Sequence, residues 1–280
     1  MRIAVSHSTH YQYDSPVHLD PHVLRLRPRE DGSQRLVRYE LRIDPAPAGI
    51  SPCLDQDGNV VLNAWFDKPT GELEVHNRFE VETLRENPFD FVLAFPSLAV
   101  LPMAYPEILH STLAAYAAES RAGRVPEFAR SVAQEVQWQT MAFLTGLNQR
   151  IFSGFRHVIR EEGDPLSSAA TLNAGEGSCR DLAVLYCDAC RCVGLATRFV
   201  SGYEEGAANE ERADMHAWSE VYLPGGGWRG YDPSRGLAIS TAHVPIAAAL
   251  HPRLAAPISG AYRGAASSRM ETTLKMEIGA

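Results

Sequence analysis

Long apolar runs are scarce in this chain of 280 residues. The longest uncharged one, FVLAFPSLAVLPMAY (91–105), is too short to span a bilayer and is broken by Pro96 and Pro102. The N-terminus, MRIAVSHSTHYQY, lacks the apolar stretch and small-residue cleavage site of a signal peptide, so a cytoplasmic protein is expected. A basic surplus is also missing. At a net charge of −8 there is nothing to displace counterions from a phosphate backbone, and neither nucleic acid nor a membrane is an expected partner. The five cysteines are odd in number and four fall between 179 and 192, which is not how a disulfide framework is built. No internal repeat or low-complexity block occurs. What remains is an ordinary globular composition, 45% hydrophobic and 21% charged, long enough for one large or two medium domains.

Patterning divides the chain. Residues 1–86 read as β-rich, with alternating runs such as LVRYELRID (36–44) and ELEVHNRFEVET (72–83) between turn signals. DQDGN (55–59) has its glycine at the fourth position and no glutamate closing a twelve-residue loop, so it reads as a tight hairpin turn rather than a calcium site. HLDPH (18–22) has a proline where a helical metal pair would need a regular turn. A proline-broken connector follows at 87–105, and a second domain takes 106–280. Within it, PEILHSTLAAYAAES (106–120) opens a helix with proline in the favoured first turn, and 126–149 carries helical spacing in one or two segments. FSGFRHVIRE (152–161) and TTLKMEI (272–278) have the pattern of strands. The fold class expected is α+β.

The stretch GEGSCRDLAVLYCDACRCVGLATRFVSGY (175–203) holds the clustered cysteines. Gly175 and Gly177 break the preceding structure, Ser178 with Asp181 fits a capping box, and Gly194 fits a helix stop. Cys179 then becomes the first helical residue, with Leu182, Ala183, Tyr186, Cys187, Cys190 and Val193 on one face. The first turn of a helix has unpaired N–H groups and the positive end of the macrodipole, which favours a thiolate. Cys187 and Cys190 read as core packing. A zinc site from Cys187, Cys190 and Cys192 would need a second ligand cluster, and none is evident.

A nucleophilic thiol needs a base with an orienting group. DMHAWSEVYLPGGGWRGYDPSRG (214–236) reads as strand, glycine-rich turn, strand, and His216 and Asp232 are 16 positions apart. They share a face only if the connecting loop has an odd number of residues. A loop of 222–226 would oppose them directly, whereas one of 223–227 would place Asp232 opposite Trp218, diagonal to His216. Asp232 before Pro233 also suits a plain turn. His157 and His243 stay open as other imidazoles for the site.

The runs GSCRDLA…GLATRFVSGY and DMHAWSEVYLPGGGWRGYDPSRG resemble the bacterial transglutaminase-like family, whose core is shared with papain-like cysteine enzymes. HSTHYQY (7–13), LRLRP (24–28), DGN (57–59) and NPFDF (87–91) resemble the β-rich region that precedes the catalytic domain in many bacterial members. The resemblance fades after about 240, where ALHPRL (249–254) departs from the pattern. It implies a β-sandwich-like N-terminal domain and a papain-like transglutaminase core at 106–280, with the cysteine helix packed on an antiparallel sheet. It also implies Cys179 as nucleophile, His216 as general acid/base and Asp232 as the residue orienting the imidazole. Asn173, six residues before the nucleophile, and Ser178 become candidates for the oxyanion site; Trp218 and Tyr203 become candidates for the cleft. The expected activity is acyl transfer or hydrolysis at a carboxamide or peptide bond through a thioester, with a peptide or protein substrate, an amine or water as acceptor, and no metal or cofactor. A binding module on the same fold is the alternative of a different class, and a zinc protein a third.

Overall fold

The computed structural model describes residues 1–160, 163–205 and 215–279, so the ends of the 152–161 and 214–236 segments at 161 and 214 lie outside the described residues. Six strands open the chain: β1 (Arg2–Leu19), β2 (His22–Leu24), β3 (Gln34–Asp44), β4 (Gly49–Leu54), β5 (Val60–Trp65) and β6 (Thr70–Thr83). Alternation is the reason they pack. Ile3, Val5, His7 and Thr9 of β1, and Leu73, Val75, Asn77, Phe79 and Val81 of β6, turn inward while their neighbours stay more exposed. The DQDGN turn joins β4 to β5 as a hairpin, with Gly58 at φ +77 and its N–H donating to Asp55 O at 3.1 Å.

A connector with one 3-10 turn (Pro96–Ala99) leads to α1 (Glu107–Leu113), α2 (Val125–Glu135) and α3 (Thr140–Gly154). Gln137 and Trp138, at φ 54 and 59, make the break that splits the 126–149 pattern into two helices. Then come β7 (Arg156–His157), α4 (Ser168–Ala174), β8 (Glu176–Gly177), α5 (Cys179–Arg191) and β9 (Thr197–Glu204). The chain closes with β10 (His216–Leu223), β11 (Gly227–Asp232), β12 (Leu237–Ala238), β13 (His243–Ala249), β14 (Ile258–Ser259), β15 (Tyr262–Arg263) and β16 (Ser268–Gly279). Among the described residues of the strand expected at 152–161, only Arg156 and His157 pair as one, because α3 runs on to Gly154.

Two sheets form the N-terminal sandwich. One has the order β15-β1-β6-β3, with β16 also along β1; the other has the order β14-β2-β5-β4. Val17, Leu19, Leu24, Leu26, Ala64, Leu73 and Val75 form one apolar core there. Strands β14, β15 and β16 all come from the end of the chain, and β16 pairs with β1 from Arg2↔Gly279 to Tyr13↔Ser268. The C-terminal segment therefore belongs to the sandwich, in contrast to the continuous 106–280 unit expected from sequence. Long-range pairing decides this, and a local pattern carries no information about its partner.

The second domain has an antiparallel sheet of order β12-β11-β10-β9-β13. Helix α5 packs on it through Ala183, beside Phe199 and Ala217, and on the helical layer through Leu182, Leu185, Tyr186, Ala189 and Cys190. It is a central helix covered on two sides, where sequence spacing shows one apolar face. The hairpin from β10 to β11 pairs Leu223 with Gly227, so its loop is the three residues 224–226. That register, continued from Ser219↔Tyr231, sets Asp232 opposite Trp218, the second of the two arrangements expected from parity.

The DQDGN turn also joins the domains. Asn59, 1% exposed, donates from Nδ2 to Ala248 O at 2.7 Å and accepts from Ala248 N–H at 2.9 Å, so its amide pairs the outer side of edge strand β13. Tyr116 donates to Asp57 at 2.6 Å, and Arg198 bridges towards Asp57 and Glu220 while stacking on Trp228. Replacing Asn59 with alanine orphans two buried backbone groups. A loss of about 2 kcal/mol is expected in urea unfolding; an unchanged midpoint would contradict this docking.

Candidate active site

The site is built around the start of α5. Gly175, at φ 65, ends α4 and donates its N–H to Thr171 O at 3.1 Å. A Cβ on Gly177 would lie 2.8 Å from Asp181 Cβ, so this approach to the helix requires glycine. The buried Asp181 carboxylate accepts the Ser178 N–H at 2.8 Å, the Ser178 hydroxyl at 2.7 Å and the Leu166 N–H at 2.7 Å, and pairs with Arg160. Burial pushes this carboxyl up, but those donors outweigh it and hold it below its ordinary value. The result is a fixed helix start, with Cys179 as its first residue and partly exposed.

His216 opens β10 and pairs across to Gly202 of β9. Gly202 is obligatory, since a Cβ there would lie 2.2 Å from Val244 O and 2.5 Å from the Trp218 ring. Asp232 ends β11 and is 0% exposed. Its two oxygens divide the work. Oδ1 accepts Ser234 N–H at 2.9 Å, Ser234 Oγ–H at 2.7 Å and Arg235 N–H at 3.2 Å, which makes the turn at Pro233. Oδ2 lies 2.7 Å from His216 Nε2 and 3.3 Å from His243 Nε2. The turn reading and the imidazole-orienting reading of Asp232 are thus both satisfied by one carboxylate.

These contacts set the charges. Burial opposes ionisation of Asp232, but His216 and then His243 overcome it and hold the carboxyl far below its ordinary range. Burial pulls His216 down, yet the Asp232 charge and hydrogen bond and the Cys179 thiol raise it well above 6.5. For Cys179, burial raises the pKa, but hydrogen bonding from His157 and His216 and the His216 charge bring it down to about 6. Both shifts favour a thiolate beside an imidazolium near neutral pH. With Nε2 committed to Asp232, Nδ1 is the His216 nitrogen left for the sulfur.

The structure therefore brings together Cys179, His216 and Asp232. The four accessory candidates occupy different settings. Asn173 is exposed in the last turn of α4. The Ser178 hydroxyl is committed to Asp181. Trp218 is 0% exposed beneath His216 and packs edge-on against His243, with ring centroids 5.3 Å apart, so it supports the imidazoles and cannot line an open cleft. Tyr203 is likewise fully buried, at the contact between the two domains with Ile3, Val5, Phe79 and Val244, and its hydroxyl lies 2.8 Å from His7 Nδ1. Two histidines gain a place instead: His157 at the thiol and His243 at the carboxylate. Sequence spacing gives no signal for either, because His157 arrives through the pairing of β7 with β8, and His243 through the pairing of β13 with β9. Among the described residues, His216, Asp232 and His243 also have the spacing of a possible metal-ligand group, though the 2.7 Å contact of the first two is a direct hydrogen bond.

Comparison with known proteins agrees with this architecture. Residues 3–82 match the bacterial transglutaminase-like N-terminal region, and residues 126–233 match the transglutaminase-like superfamily. Together the two regions cover more than half of the chain. It belongs to the transglutaminase-like family. An uncharacterized protein of Mycobacterium leprae is 25% identical over 284 residues, covering 98% of both chains. An uncharacterized protein of Mycobacterium tuberculosis is 27% identical over 261 residues, covering 88% of this chain and 82% of its own. A solved structure, a candidate cysteine protease from Cytophaga hutchinsonii, shares the fold at TM-score 0.74 and 20% identity, over 100% of this chain and 92% of that one.

The thiolate–imidazolium pair makes a kinetic forecast. Alkylation of Cys179 by iodoacetamide should rise with pH through a midpoint of about 6 and be level by neutral pH. Asp232→Asn removes the charge that holds His216 protonated, and should move that midpoint up by about one unit or more. A wild-type midpoint in the ordinary thiol range would contradict the pairing.

Proposed function

We propose that this transglutaminase-like protein is a cysteine enzyme that transfers or hydrolyses acyl groups from a carboxamide or peptide carbonyl. The observation carrying this reading is the placing of a thiol at a helix start beside an imidazole tied to a buried carboxylate. Three roles are then filled by three groups of suitable chemistry. The Cys179 thiolate attacks the carbonyl carbon, and the carbonyl electrons move onto oxygen, where first-turn N–H groups of α5 favour the negative charge. Collapse expels an amine or ammonia, which takes a proton from His216 and leaves a thioester. His216, now neutral, accepts a proton from the incoming amine or water, and the second collapse frees Cys179. Asp232 stays ionised throughout and keeps the ring in the tautomer whose Nδ1 faces the sulfur.

The substrate class follows from the chemistry: a peptide or protein offering a carboxamide or peptide bond, with a primary amine or water as acceptor. Incubation of the protein with glutamine-containing peptides and a primary amine, scoring ammonia release, cleavage and amine incorporation separately, tests the reading. Wild type should give at least one product. Cys179→Ala should lose it by a factor on the order of 10⁴ or more, the scale for removing a nucleophile. Equal activity in the two proteins would remove Cys179 from the reaction.

A further inference from the structure

A thioester mechanism needs donors where the carbonyl oxygen becomes negative, and only part of that requirement is met by α5. The first-turn N–H groups of a helix have no intrahelical acceptor, so the Cys179 amide is one donor. Of the side-chain donors suggested by sequence, the Ser178 hydroxyl is spent on Asp181, and Asn173 lies exposed on α4, a separate element from the cysteine helix. His216 is engaged with Asp232 on one nitrogen and is needed for proton transfer on the other.

His157 fills the gap. It is exposed, and its imidazole hydrogen-bonds the Cys179 thiol independently of His216. Its position is fixed by backbone pairing. Strand β7 runs parallel to β8, with Arg156 opposite Glu176 and His157 opposite Gly177, two residues before Cys179. Arg156 N–H donates to Gly175 O at 3.0 Å and Val158 N–H to Gly177 O at 3.1 Å, so the residues on both sides of His157 are tied to the segment that leads into α5. Arg156 and Glu176 add an ion pair across the same two strands. The paired strands thus set an imidazole beside the attacking sulfur, and in the adduct the carbonyl oxygen is only two bonds from that sulfur.

We propose that His157 is a further catalytic residue, the side-chain donor of the oxyanion site, a role that rests on Cys179 being the nucleophile argued above. In the resting protein its N–H group faces the thiolate. When sulfur bonds to the carbonyl carbon, the sulfur loses its charge and the oxygen gains it, and the His157 N–H turns from one to the other. His157 donates a hydrogen bond and transfers no proton. The proton balance belongs to His216 alone, and collapse of the adduct returns the electrons to C=O as the leaving group departs.

Two reagents separate this role from simple thiolate stabilisation. Acylation by p-nitrophenyl acetate passes through a tetrahedral oxyanion and releases p-nitrophenolate, whereas alkylation by iodoacetamide displaces iodide with no oxyanion. Both rates are measured at pH 8 on the full chain for wild type, His157→Ala and His157→Gln. His157→Ala should slow acylation by about 10²-fold, as for loss of one oxyanion donor, while alkylation changes only a few-fold. His157→Gln, which keeps an N–H donor, should recover part of the acylation rate. Alkylation also reports that the site has kept its fold. Unchanged acylation, or acylation and alkylation falling in parallel, would overturn the role of His157 while leaving Cys179 as nucleophile. A wild-type protein that alkylates but forms no acyl adduct at Cys179 would overturn the thioester reading itself.

Discussion

The Asp232 carboxylate is the constraint around which the site is arranged. Fully buried, it is kept ionised by backbone and hydroxyl donors on one oxygen and two imidazoles on the other. A buried charge with fewer partners would cost several kcal/mol or be neutralised by a proton. Held this way, it fixes the His216 ring and favours its protonated form, and in the proposed mechanism that charge draws the thiol at the tip of α5 towards thiolate. The proposed chain of cause runs from a turn at Pro233 to the reactivity of a sulfur on another element.

Three layers keep the partners in place. Gly202 lets β9 approach β10 and leaves room for the Trp218 ring beneath the imidazoles. The Asp181 cluster fixes where α5 begins, and so where the sulfur points. The N-terminal sandwich supports the sheet from outside. The Asn59 amide pairs the free side of β13, Gln34 donates to Pro245 O at 2.8 Å, and Tyr203 of β9 is buried against β1 and β6. Since β13 also carries His243, the strand on which the sandwich docks contributes a residue beside Asp232. The end of the chain reinforces this joint, returning through β14, β15 and β16 to both sandwich sheets.

Features set by neighbours in sequence were legible there. The Ser178–Asp181 cap, Cys179 as the first helical residue and the hairpin at DQDGN all depend on short spacings and on the two periodicities of helix and strand, whereas for His216 and Asp232 parity stated only a condition, which the three-residue loop meets. What was not legible depends on which separate elements pair with one another. Parallel pairing of residues 156–157 with 176–177 brings His157 to the sulfur, and β13 brings His243 to Asp232, without any local pattern. Trp218 and Tyr203 illustrate the same limit from the other side. Their positions next to functional residues suggest a cleft, but the stacking of sheet on sheet seals both inside. Burial on a second face is likewise what made α5 central when its spacing showed one stripe.

The central claim is electrostatic, that His216 is a stable imidazolium paired with a thiolate at neutral pH. Nitrogen-15 NMR of histidine-labelled protein at pH 7 measures it directly, with His216 assigned by comparison with His216→Gln. The account predicts both ring nitrogens protonated in wild type, with Nε2–H shifted downfield by its hydrogen bond to Asp232. A neutral ring, with one protonated and one bare nitrogen at that pH, would contradict it.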